Sequence, residues 1–155
     1  MYLTQEIWLS NWNNEQKIIS QKVKEILKTP FEPQSIELEV GYWRKANAIH
    51  NWFVNVVQKG EDDCGSYTVS FEQLVELKDL CEVVLKARDD KEKFEEVKKQ
   101  LATTEGFFFG NTEYDDWYFE QLKNTIEIVE KIMKQETINK LQGKPQGWYK
   151  YHSSW

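Results

Sequence analysis

Between Ser35 and Val57 the spacing of apolar residues changes from two to about 3.6. That switch rules out an all-helical or an all-strand chain. Ile36, Leu38 and Val40 alternate with Glu37 and Glu39, the pattern of a strand with one face buried. A helix is expected from about Arg44 to Lys59. There Ile49, Trp52, Phe53, Val56 and Val57 recur at i, i+3, i+4, i+7 and i+8, a continuous apolar stripe. The strand-to-helix junction falls at Trp43-Arg44.

The flanking segments repeat the two patterns. Residues 2–9 are short and rich in aromatic and aliphatic side chains and read as a strand. Asn13 or Asn14 caps a helix through Lys28, with Ile18, Ile19, Val23, Ile26 and Leu27 at helical spacing. Thr29-Pro30 and Pro33 end it, because proline cannot continue the hydrogen-bond ladder. Ser70 with Gln73 is a capping-box pair. It opens a helix to about Ala87, with Leu74, Leu77, Leu80, Cys81, Val84 and Leu85 inward. Lys91 to Leu101 is a charged helix with a thin apolar face. The glycine-bracketed run Phe107-Phe108-Phe109 is a short strand or a packed loop. Thr112 or Asp115 caps the last helix, to about Lys134. Residues 148–155 are dense in aromatics and suit a final strand. The expectation is one α+β domain over residues 1–155. It is mostly helical, with about four helices covering a small sheet formed near 2–9, 36–42 and 148–155.

Composition narrows the function classes. Apolar residues make up 40% and charged residues 30%, a globular balance. Seven Trp, seven Tyr and eight Phe in 155 residues exceed what an aliphatic core needs, so some rings are expected at a groove or interface. The net charge of −6, with Lys and Arg interleaved among Glu, gives no nucleic-acid footprint and disfavours an anionic membrane. No apolar run approaches the ~20 residues of a membrane span. The opening Met1–Glu6 lacks the basic and apolar regions of a signal peptide, so the expected location is cytoplasmic. Cys64 and Cys81 imply no disulfide there. His50 and His152 are too far apart for a zinc spacing, and no cofactor is implied.

Four clusters carry candidate chemistry. Tyr42, Trp43, Arg44, Lys45, Asn47, His50 and Asn51 gather at the strand-to-helix junction. Arg44 offers a fork to an anion, Asn47 and His50 offer hydrogen bonds, and the rings offer stacking. The plainer alternative is a histidine bonded to a neighbouring loop, with Arg44 solvated. The loop Glu61-Asp62-Asp63-Cys64-Gly65 has paired acids for a divalent cation and a thiol, yet it also matches an ordinary acidic loop. In the run from Phe107 to Asp116, Gly110 leaves N–H groups for an anion, but Glu113, Asp115 and Asp116 themselves satisfy the helix start. Tyr114 is the candidate contact there. The last cluster is the aromatic tail, ending at Trp155.

The stretch Tyr42-Trp43-Arg44-Lys45-Ala46-Asn47-Ala48-Ile49-His50-Asn51-Trp52-Phe53 resembles a small family of phage and prophage proteins. So do Asp62-Asp63-Cys64-Gly65, the run Gly106 to Asp115, and Tyr151-His152-Ser153-Ser154-Trp155. The resemblance covers about residues 36–155 and brings no functional residue with it. It implies a phage accessory protein working in the cytoplasm of the bacterial host. The leading expectation is a non-catalytic binder of a host protein or a small nucleotide-like ligand, in the manner of counter-defence proteins, with the oligomeric state open. Its ligand contacts are expected among Tyr42, Trp43, Arg44, Asn47, His50, Tyr114 and Trp155. The alternatives are a small enzyme acting on a nucleotide or phosphorylated substrate, with His50 as acid–base and Asp62 or Asp63 on a metal, and a virion assembly protein.

Overall fold

The alternating segment does form a strand, and a four-stranded antiparallel sheet is built around the first strand of the chain. The computed structural model describes residues 1–9, 13–106 and 111–154. Strands β1 (Tyr2–Trp8), β2 (Ser35–Tyr42), β3 (Ser66–Val69) and β4 (Trp148–His152) lie in the order β2-β1-β4-β3. Residues 36–42 and the C-terminal aromatic segment therefore share a sheet without touching, because β1 separates them. β3 was not anticipated: Ser66–Val69 is only four residues long, too short to show an alternation.

Register fixes which side chains face inward. Leu3 pairs with Gly41 and Tyr151, and Gln5 with Leu38 and Tyr149. A bulge between Leu3 and Thr4 shifts the β1–β2 ladder by one residue. Leu3, Tyr149, Tyr151 and Val69 are buried on the same face.

Among the described residues there are five α-helices and one short 3-10 turn. They are α1 (Asn14–Leu27), α2 (Asn47–Val56), α3 (Phe71–Ala87), α4 (Lys91–Val97) and α5 (Asp116–Leu141), with the 3-10 turn at Lys98–Leu101. Asn13 caps α1, and Ser70 and Gln73 form the complete capping box on α3. Asp115 caps α5. That helix runs a further two turns beyond Lys134, since no glycine or proline intervenes before Gly143. α2 starts later than expected, at Asn47. Lys45 takes a positive φ of 54° and Ala46 is non-helical, so the chain turns sharply after Trp43.

The core joins the inner sheet face to α2, α3 and α5. Trp52 and Phe53 are buried, as their stripe requires, along with Leu74, Leu77, Val84 and Leu122. α1 behaves differently. It leaves the sheet between β1 and β2, where Leu9 N–H donates to Gln34 at the neck of the excursion. Its protein-facing side is polar: Ser20 and Lys24 both reach Glu32. Its apolar stripe is turned to solvent, with Ile26 78% and Leu27 67% exposed. No described helix is long and apolar enough to cross a membrane.

Candidate functional site

The sharp turn after β2 separates the residues grouped there by sequence. Trp43 turns inward, is fully buried, and donates its indole N–H to Thr125 Oγ1 at 2.9 Å. Tyr42 stays half exposed against Tyr2, and Arg44 is exposed. Asn47 is buried and donates from Nδ2 to the Asn111 carbonyl.

His50, also buried, has both ring nitrogens engaged. Nδ1 lies 2.6 Å from the Tyr151 hydroxyl and Nε2 lies 2.9 Å from Asp62 Oδ2. If Asp62 accepts from Nε2–H, then Nδ1 accepts from the tyrosine. Burial, and next the Asp62 charge, push the Tyr151 hydroxyl pKa above its ordinary value, so Tyr151 holds its proton and donates. Its ring stacks on Phe53 at 3.9 Å and 9°. This Asp62–His50–Tyr151 chain ties the loop after α2 to the inner face of β4. By sequence Tyr151 is only one ring of an aromatic tail; its partnership with His50 spans 101 positions, beyond any local signal.

The acidic loop is likewise absorbed locally. Asp63 accepts from Gly65 N–H at 2.8 Å. That bond, and then the Tyr67 hydroxyl, hold its carboxyl below the usual range. Among the described residues no group of three or more His, Cys, Asp or Glu side chains is placed to hold a metal ion. Tyr114 is half buried, edge-on to Tyr118 and Phe94, with the Lys98 ammonium 5.1 Å above its ring. Trp155 and the Phe107–Phe109 run lie outside the described residues. Of the expected contacts among the described residues, only Tyr42 and Arg44 are exposed to solvent.

Two other features emerge. The first is a small cavity, about 20 Å³, between the first turn of α2 and the start of α5. Asn47 contributes to its wall, as does Gln121, which belongs to no motif in the sequence. A signal existed, since Gln121 shares the helical face of Tyr118, Leu122 and Thr125, all buried. The second is the α1 end of the molecule. Among the described residues, eight of the fifteen exposed large hydrophobics fall between Ile7 and Leu38.

No family model matches the chain, and neither a curated protein nor a solved structure matches it significantly.

Proposed function

We propose that this chain is a non-catalytic binding protein of phage or prophage origin that captures a host protein through α1 and the adjoining ends of β1 and β2. The observation that carries this reading is the exposed apolar stripe of α1. Leaving Ile26, Leu27 and Phe31 in water is unfavourable by on the order of 1 kcal/mol each or more, and contiguous apolar exposure of that kind marks interaction surfaces. α1 is also locally basic in an acidic chain. Lys17, Lys22, Lys24 and Lys28 outnumber Glu15 and Glu25 across residues 14–28. The complementary partner is a protein with an apolar groove rimmed by carboxylates, which takes an amphipathic helix by its i, i+3, i+4 and i+7 anchors. The prophage origin rests on the sequence resemblance.

The enzyme alternative draws less support. His50 is sealed under Tyr151 and Asp62, and the cavity beside α2, of about 20 Å³, has room for about one water molecule and none for a nucleotide. The test is quantitative capture from bacterial extract by wild type and by Ile19→Glu/Ile26→Glu, with light scattering of each purified protein. A stoichiometric partner kept by wild type and lost by the variant, at unchanged melting temperature, supports the reading. Equal capture by both proteins refutes it, as does an α1-dependent homodimer with no partner.

A further inference from the structure

The sheet ends on an open edge. In the order β2-β1-β4-β3 the outer strands are β2 and β3, and β3 spans only four residues. β2 is eight residues long and, among the described residues, pairs with β1 alone. Leu9 N–H donates to the Gln34 carbonyl, so those two residues form a hydrogen-bonded pair. In an antiparallel ladder such pairs alternate with pairs whose N–H and C=O groups point away from the partner strand. The register carries the alternation on, with Ile7–Ile36 and Gln5–Leu38 as bonded pairs. The backbone groups of Ser35, Glu37 and Glu39 therefore point outward, to the free edge. Among the described residues no hydrogen bond reaches them there. The open run closes beyond Glu39, where the bulge interrupts the ladder and Asn124 Nδ2 donates to the Tyr42 carbonyl.

A bare edge of this length is a template for another strand. Proline and lysine are common edge blockers, and residues 35–42 contain neither. The charges they do carry are Glu37 and Glu39. Residues two apart on a strand share a face, so the two carboxylates stand side by side, and both are exposed. Glu37 accepts from Thr4 Oγ1. Lys150 acts on Glu37 through space and the Met1 ammonium on Glu39, but Lys150 is bonded to Glu6 and Met1 to the Trp43 carbonyl. On the other face of β2, between the two acids in sequence, Leu38 is 44% exposed.

These features select the occupant. A second copy does not fit, because antiparallel pairing of two β2 edges sets Glu37 opposite Glu37 or Glu39, and like charges directly opposite are destabilising. An incoming strand bonded to Glu37 and Glu39 places its own opposed side chains on the face of the two carboxylates. Its intervening side chain then falls beside Leu38. We propose that the β2 edge takes an extended basic polypeptide segment as a fifth, antiparallel strand, with Arg or Lys facing Glu37 and Glu39 and an apolar residue beside Leu38. Main-chain bonds supply affinity, and the basic–apolar alternation supplies selectivity. The surface uses no residue of α1 and asks for the opposite charge, so it stands or falls separately from the proposed capture of a host protein through α1.

The experiment titrates the ¹⁵N-labelled full chain with three capped hexapeptides. One alternates arginine and valine, the second alternates glutamate and valine, and the third is the first with its arginine backbone nitrogens methylated. The arginine peptide should shift the Glu37 and Glu39 backbone amides saturably and bind about tenfold or more tighter than the glutamate peptide. Methylation keeps the charge but removes the N–H groups that face β2, and should weaken binding by about tenfold or more, the equivalent of one good hydrogen bond. Glu37→Gln/Glu39→Gln should weaken the arginine peptide by about fivefold; should that variant fail to fold, Glu39→Gln takes its place. Ile19→Glu/Ile26→Glu should bind the peptide as wild type does, which separates this surface from α1. Equal binding of the methylated peptide overturns the proposal, because charge alone then holds the peptide. Equal binding of the glutamate peptide overturns it as well, as do shifts confined to α1 or β3, or no saturable shift with any peptide.

Discussion

Removing one oxygen atom, in Tyr151→Phe, probes how the molecule is tied together. The hydroxyl donates to His50 Nδ1 at 2.6 Å in a fully buried setting. Its loss removes a net hydrogen bond of about 1 kcal/mol and strands a buried imidazole nitrogen at a further 1–3 kcal/mol. The ring survives, so the stacking on Phe53 at 3.9 Å and its apolar burial are kept. The expected destabilisation is therefore about 2–4 kcal/mol, or a fall in Tm of roughly 5–15 °C for a chain of this size. Urea unfolding followed by Trp fluorescence measures it, with the m-value checked for constancy. His50→Leu/Tyr151→Phe sharpens the test. With both partners gone no nitrogen is stranded, and Asp62, 28% exposed, can turn to water. The double variant should then be less destabilised than the sum of the single variants by at least about 1 kcal/mol. A cost below about 0.5 kcal/mol for Tyr151→Phe, or strict additivity in the cycle, would refute the reasoning.

Three further outcomes follow from local geometry. Ser70→Ala breaks the capping box on α3 and should cost about 1 kcal/mol by chemical denaturation. Gly41→Ala places a methyl group 2.8 Å from Ile128 Cγ2 and 3.3 Å from Leu3 Cβ; the overpacking between sheet and α5 should cost about 1–3 kcal/mol, read as a lower urea midpoint. Glu6 bonds to Lys150 and Ser35, which hold its carboxyl below the ordinary 4.5. A depressed folded-state value means the stabilisation is present above about pH 4.5 and is lost as the pH falls through the folded value. Glu6→Gln should thus lower stability at neutral pH and flatten the acid limb of the pH–stability curve, measured by thermal melts from pH 7 to 3.

The parts of the fold visible in sequence are those set by near neighbours. The strand at Ile36, Leu38 and Val40, the stripe at Ile49, Trp52 and Phe53, and the Ser70–Gln73 cap each lie within a dozen residues, and each element forms, although the strand's apolar face is not buried as expected: Leu38 is exposed and Ile36 and Val40 are only partly covered. What escaped depends on distant partners. Strand β3 exists because β4 offers an edge to Ser66–Val69. α1 has the same apolar periodicity as a core helix, and nothing local distinguishes a stripe that packs from one that projects. The site expectations failed to converge for a related reason. Trp43, Asn47 and His50 meet Thr125, Asn111 and Tyr151, all more than sixty positions away. Their polar atoms are thereby committed to holding the fold.

Amide hydrogen exchange on the captured complex tests the central claim, that the exposed stripe of α1 is a docking surface, most directly. In the free chain, α1 should exchange faster than α3 and α5, because it contributes little to the buried core. In the complex, the account predicts strong protection over residues 14–31 and at the adjoining ends of β1 and β2, with α3 and α5 unchanged. Protection centred on α5 or β4, with α1 exchanging as fast as in the free chain, would contradict it.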